Sequence, residues 1–274
     1  MQTTYRINFI NGAPFLDAVM RELEKMGHII AEDNPDIIIG MSISQMDKIW
    51  QAHRKYPQAK LINYSWDIYS WALSNPRPNE YNYQSYIELL KESDEVLVPS
   101  MAEYRRTEKL LKPKEMYVIQ TYVPYWDYSD IQDKRYVLNP IREQPDRDWG
   151  LLEECCKELN IPCVSSMHTL SFPDYQKTVA HCSFLVSTLH ELSTGGLSLV
   201  EGYYLGKPCL ISDSTENGGK DYLLNRATYF KDGDKEDLKK KLLEMWNNTP
   251  KVRADHKEWV EEYYSALRMA KLII

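Results

Sequence analysis

Hydrophobic and polar positions follow two periods along the chain. YRINFI alternates and then turns apolar, which predicts a strand. After the turn NGAP, the segment FLDAVMRELEKMG carries Phe15, Val19, Leu23 and Met26 at helical spacing and stops at Gly27. HIIAED predicts a short strand. NPDIIIGMS predicts another, and its nearly unbroken apolar run fits burial on both faces, as in a parallel sheet. The alternation continues with helix MDKIWQAHRKY, strand AKLINYSWD, helix YNYQSYIELLKES, strand DEVLVPS, helix MAEYRRTEKLL and strand EMYVIQTYVP. Strands and helices in this order predict a doubly wound α/β domain.

The stretch VPYWDYSDIQDKR breaks the rhythm and reads as an inter-domain linker. A second alternating series follows. Its strands are RYVLNP, IPCVSS, SFLVST, KPCLIS and ATYFKD. Its helices are DRDWGLLEECCKELN, FPDYQKTVAHC, GLSLVEGYYLG, DYLLN and KEDLKKKLLEMWNN. This predicts a second α/β domain. HKEWVEEYYSALRMAKLII is left over as one long helix, with Trp259, Tyr263, Leu267, Ala270 and Leu272 recurring at roughly helical spacing.

Composition narrows the classes. The 274 residues suffice for two modest domains, and 43% hydrophobic content is ordinary for a globular chain. A net charge of −7 argues against broad binding to a nucleic acid backbone, which needs a basic face. Arg105, Arg106, Lys109, Lys112 and Lys114 still make EYRRTEKLLKPK locally basic. That stretch predicts a solvated helix face, or a contact with an anionic membrane surface or a phosphate-bearing acceptor. The 20 Tyr and seven Trp suit stacking on sugars or bases as well as ordinary packing. The five Cys are odd in number and form no CxxC pair, which predicts buried free thiols in a reducing compartment. The N-terminus MQTTYRINFI has no basic segment followed by a long apolar one, and no run reaches the length of a membrane span. The expectation is a soluble, cytoplasmic protein, with membrane contact at most peripheral.

Candidate chemistry concentrates in TLHELSTGGLSLVEGYYLGKPCLISD, residues 188–213. After strand SFLVST the chain enters the loop LHELSTGG, and a helix begins near Gly196 and Leu197. A helix N-terminus offers backbone N–H groups and a partial positive charge. Glycines let a diphosphate come close to the backbone. Glu201 lies about one turn into the helix, where a carboxylate can accept two hydrogen bonds from a vicinal diol such as a ribose. On spacing alone, a Gly-rich loop with a solvated glutamate is the simpler reading.

The same residues resemble the signature of glycosyltransferase family 4 and its GT-B relatives: a glutamate, a Gly-rich loop, a helix bearing a second glutamate, then Gly-Lys-Pro and a strand. FPDYQKTVAHCSFLVST resembles the family's preceding helix and strand, and ATYFKDGDKEDLKKKLLEMW its closing strand and helix. Arg142 and Arg147, after RYVLNP, match its Arg and Lys pair. The likeness spans essentially the whole chain and is strongest over residues 136–246. It implies a GT-B fold of two Rossmann-like doubly wound domains facing a cleft. Residues 1–125 form the acceptor-side domain and 126–256 the nucleotide-sugar donor domain. Residues 257–274 form a terminal helix crossing back to the N-terminal domain.

The resemblance also implies roles. Glu191 contacts the donor sugar and, with Arg142 and Arg147, makes up the catalytic set. Glu201 holds the nucleotide ribose. Gly195, Gly196, Leu197 and Ser198 hold sugar hydroxyls and phosphate. Gly12, Trp66 and Asp67 fall on the acceptor side. The chain departs from the family: Trp66 stands where the family has His, Ser198 where it often has Pro, more residues separate Glu191 from Glu201, the NGAP loop is shorter than its Gly-rich one, and the chain is shorter than typical members. The implied reaction is a retaining sugar transfer from a nucleotide-diphosphate sugar to a glycan or lipid-linked glycan. An arginine pair on the leaving diphosphate makes a metal unnecessary, and no cofactor is implied. Asp146-Arg147-Asp148 and Asp232-Gly233-Asp234 fit the Asp-x-Asp pattern with which another class of glycosyltransferases holds a metal. Both adjoin predicted helix starts, where acids act as caps or complement the dipole. Rival readings are a non-catalytic nucleotide-sugar-binding module or partner subunit, a GT-B epimerase or hydrolase, and a transferase acting on a modified base of phage DNA.

Overall fold

The computed structural model describes residues 3–11, 16–41, 43–65, 83–124, 128–140, 149–164, 170–188, 196–214 and 218–274. The chain divides into two compact units. One is Met1–Tyr122 together with Tyr263–Ile274, and the other is Val123–Glu262.

In the first unit, β1 (Arg6–Ile10), β2 (Ile29–Ile30), β3 (Ile37–Gly40), β4 (Lys60–Tyr64), β5 (Glu95–Val98) and β6 (Met116–Val118) form a parallel sheet of order β2-β1-β3-β4-β5-β6. Its helices are α1 (Asp17–Lys25), α2 (Met46–Lys55), α3 (Tyr83–Glu92), α4 (Met101–Leu111) and α11 (Ala266–Ile273). Alternate strand residues point to opposite faces. Ile37, Ile39, Ile62 and Tyr64 pack with Val19 and Leu23 of α1 and Met269, Ala270 and Ile273 of α11. Ile38 and Leu61 pack on the other side with Ile49 of α2, Leu89 and Leu90 of α3 and Leu111 of α4. The IIIG run of β3 is buried throughout because helices cover both faces.

The second unit repeats the plan. Strands β7 (Val137–Leu138), β8 (Cys163–Val164), β9 (Phe184–Ser187), β10 (Cys209–Ser212) and β11 (Thr228–Phe230) are parallel, in the order β11-β10-β9-β7-β8. The helices are α5 (Trp149–Glu158), α6 (Phe172–His181), α7 (Leu197–Tyr204), α8 (Gly218–Leu223), α9 (Lys235–Asn247) and α10 (His256–Tyr263). One face buries Val137, Phe184, Val186 and Leu210 under Leu152 and Cys156 of α5 and Leu238 and Leu242 of α9. On the opposite face α7 lies hard against β9: a Cβ on Gly202 would come 2.5 Å from the Leu185 side chain.

Two expectations are corrected. The single terminal helix is two, α10 and α11. Ser265 adopts an extended conformation and its hydroxyl accepts the Arg268 N–H (3.2 Å), starting a new helix, while the Arg268 guanidinium donates to the Tyr263 carbonyl (2.6 Å). The break resets the helical phase. Trp259, Val260, Tyr264, Met269, Ala270 and Ile273 are buried, whereas Tyr263, Leu267 and Leu272 are exposed. The basic stretch on α4 is not uniformly solvated either. Arg106 is buried one turn from buried Glu103, at 3.8 Å, and Lys114 pairs with Asp94 at 3.2 Å. The helical period places Arg106 on the inward face with Ala102, Glu103 and Thr107.

Candidate active site

The second sheet reverses direction at β7. From β7 the chain passes through α5 to β8 on one side, then returns through α6 to β9 on the other. Open parallel sheets hold ligands outside the carboxyl ends of the strands at such a reversal. Strands β7 and β9 pair directly, Leu138 opposite Leu185. The chain therefore leaves these two adjacent parallel strands at the same edge of the sheet. Asn139 and Thr188, the first residues beyond these strands, are both buried.

The helix after β9 is α7. Its first turn rests on α8: a Cβ on Gly196 would fall 2.2 Å from the Tyr222 ring. The space that Gly196 leaves open is thus filled by Tyr222. Leu199, Val200, Gly202, Tyr203 and Tyr204 are buried. Leu197, Ser198 and Glu201 are half-buried and share one face, at the i, i+3 and i+4 spacing. That face is the open side of an otherwise apolar helix.

Glu201 is the acid of this face. The Tyr175 hydroxyl, from α6, donates to its Oε2. Burial pushes the Glu201 carboxyl up to about 7, because a charge loses solvation there; the Tyr175 hydrogen bond pulls the other way. The carboxylate is therefore poised between its two forms near neutral pH and already holds one donor. Sequence reasoning missed Tyr175. Its partner lies on the next helix of the chain, and nothing in the local pattern of FPDYQKTVAHC marks that contact.

Asp232-Gly233-Asp234 does structural work. Asp234 caps α9, its carboxylate accepting the Asp237 N–H at 3.1 Å. The Ser212 hydroxyl donates to the Asp232 carboxylate, and the Asp232 N–H donates to Asp213 Oδ1 at 2.9 Å. Among the described residues no helix is long and apolar enough to cross a membrane.

No family model and no curated protein matches the chain. Solved structures do. A glycosyltransferase from Rickettsia africae ESF-5 aligns with a TM-score of 0.63 at 12% identity, over 99% of this chain and 97% of that one. The chain has the GT-B fold. Another GT-B neighbour, Anabaena HepE in complex with UDP-glucose, gives a TM-score of 0.64 at 12% identity, over 98% of both chains. TarM, known from S. aureus, gives 0.66 at 17% identity over 94% of this chain, which spans only 57% of TarM's length. Of the residues that the GT-B resemblance singles out, Gly196, Leu197, Ser198 and Glu201 stand together on α7. Arg142, Arg147, Glu191, Gly195, Gly12, Trp66 and Asp67 lie outside the described residues, as does the rest of the Asp146-Arg147-Asp148 stretch.

Proposed function

We propose that this chain is a glycosyltransferase that moves a sugar from a nucleotide-diphosphate sugar to an acceptor. The observation that carries the reading is Glu201: an acid on the open face of α7, beside the β7/β9 reversal, where a ribose diol can be held. The fold likeness supports it, since neighbours in that fold are glycosyltransferases and HepE was captured with UDP and UDP-glucose. In this reading Glu201 accepts from both ribose hydroxyls. Leu197 and Ser198 offer the helix N-terminus to phosphate. Arg142 and Arg147 neutralise the departing diphosphate, Glu191 contacts the donor sugar, and Gly195 and Gly196 bring the backbone close to it. Gly12, Trp66 and Asp67 serve the acceptor side, and the acceptor is a glycan or lipid-linked glycan. Transfer retains the anomeric configuration.

With cationic side chains stabilising the leaving group, turnover needs no divalent ion. The test incubates the protein with UDP-, GDP- and ADP-sugars and measures nucleotide release with and without glycan acceptors. Acceptor-dependent release that survives EDTA is expected. Activity abolished by EDTA and restored by magnesium or manganese overturns metal independence. Binding without any turnover would make the chain a non-catalytic module.

A further inference from the structure

Tyr175 is built into a rigid position. Ser171 caps α6 through the Asp174 N–H, and Pro173 occupies the first turn, where its fixed backbone angle suits a helix start. The Tyr175 ring lies nearly parallel to that of Phe172, at 6.4 Å and 22°. From there its hydroxyl reaches the open face of α7 and meets Glu201 Oε2. A phenol donates one hydrogen, whereas an ionised carboxylate has about four acceptor positions. The bond occupies one of them. Among the described residues, both positions on Oε1 and one on Oε2 remain for the two hydroxyls of a vicinal diol.

We propose that Tyr175 is a positioning residue for the nucleotide sugar, its hydroxyl fixing the Glu201 carboxylate in the orientation that accepts both ribose hydroxyls. The assignment rests on the proposed function. It also accounts for how a carboxyl so short of solvent stays available as an acceptor. Burial favours the protonated form of Glu201, and the Tyr175 donor favours the ionised form. Other ionisable groups on elements that touch α7 include Asp174 and Lys177 of α6, Lys220, Asp221 and Tyr222 of α8, Cys209 of β10, Arg226, and His256, Lys257 and Glu261 of α10. Among the described residues none of these perturbs the carboxyl; Tyr175 alone opposes the desolvation.

The sign follows. A diol donating two hydrogen bonds prefers the ionised carboxylate, so donor affinity falls as pH drops through about 7. Removing the Tyr175 hydroxyl moves that midpoint to higher pH. Tyr175→Phe keeps the ring against Phe172 and is the least disruptive variant.

The experiment measures binding of UDP-glucose, GDP-mannose and ADP-glucose by calorimetry from pH 6 to 9. The proteins are the parent, Tyr175→Phe, Glu201→Gln and the double variant. These sugar diphosphates have no phosphate titration in that range. Tyr175→Phe is expected to bind roughly three- to tenfold more weakly at pH 7, the scale of one hydrogen bond. Its midpoint should lie above the parent's, and its donor KM should rise while kcat changes little. Glu201→Gln should bind weakly with no dependence on pH, and adding Tyr175→Phe to it should cost nothing more. An unchanged midpoint in Tyr175→Phe overturns the assignment, as does an equal loss on the Glu201→Gln background. If the parent binds none of the three donors at any pH, the proposed function itself falls and the assignment with it.

Discussion

The Glu201 carboxyl loses more by desolvation than the Tyr175 hydroxyl returns, and this sets fold stability against ligand binding at one side chain. In the unfolded chain a glutamate ionises near 4.5, whereas in the folded chain Glu201 ionises near 7. Between these values the folded state binds more protons, so stability falls as pH rises. The contribution is fully present below 4.5 and lost once pH passes 7. Glu201→Gln should therefore raise the melting temperature of the unliganded protein at pH 8 and have little effect at pH 4.5. Equal melting temperatures at pH 8 would contradict this account. Glu201→Ala should cost donor binding about 1–3 kcal/mol by calorimetry, the range for hydrogen bonds to a charged group. The thiols present a second case of burial. All five cysteines are free, and all but Cys163 are buried. Burial holds Cys155 up to about 11 and Cys182 up to about 12, so neither forms the reactive thiolate near neutral pH. Timed alkylation of the native protein should label Cys163 first, with the other four following only on unfolding.

Among elements, α7 is tightly constrained by its neighbours. Gly202→Ala would drive a methyl into Leu185, and overpacking of this kind costs about 1–3 kcal/mol. Urea unfolding monitored in the second unit should register it. At the other end of the chain, Ser265→Ala should cost about 1 kcal/mol by removing the cap that starts α11. The contrast between these two sites shows what was legible beforehand. The IIIG run of β3 and the helical spacing of Val19 and Leu23 declare themselves locally, because each pattern runs over a whole element. The Ser265 break did not. Apolar residues continue through it, and a lone serine within a helical pattern is compatible with an unbroken helix. Arg106 was hidden for a related reason: its burial follows from the face it shares with Glu103, not from its charge. Tyr175 was hidden most completely, since a hydrogen bond between two helices leaves no trace in the pattern of either. Of the candidate site, Glu201 and its helix could be read from the chain, but the group that holds Glu201 could not.

At the scale of the whole molecule, the first unit draws its core from both ends of the chain. Met269, Ala270 and Ile273 of α11 join Ile7, Leu16 and Leu23 in one apolar cluster. Ile273→Ala should cost about 2–5 kcal/mol, as for other buried truncations. Its mark should be faster amide exchange in β1 and α1, with the second unit's strands protected as before. Loss of protection centred on β9 and β10 instead would sink that expectation.

This discontinuity bears on how the protein is made. The second unit is continuous in sequence and emerges from the ribosome as one piece. The sheet of the first unit is synthesised earlier, yet one of its apolar faces lacks α11 until residues 266–273 are translated. At typical elongation rates the delay is on the order of ten seconds, long compared with the collapse of a nascent chain. Throughout that interval Ile37, Ile39 and Ile62 have only part of their cover. The nascent first unit thus waits for residues 266–273 before its core can close.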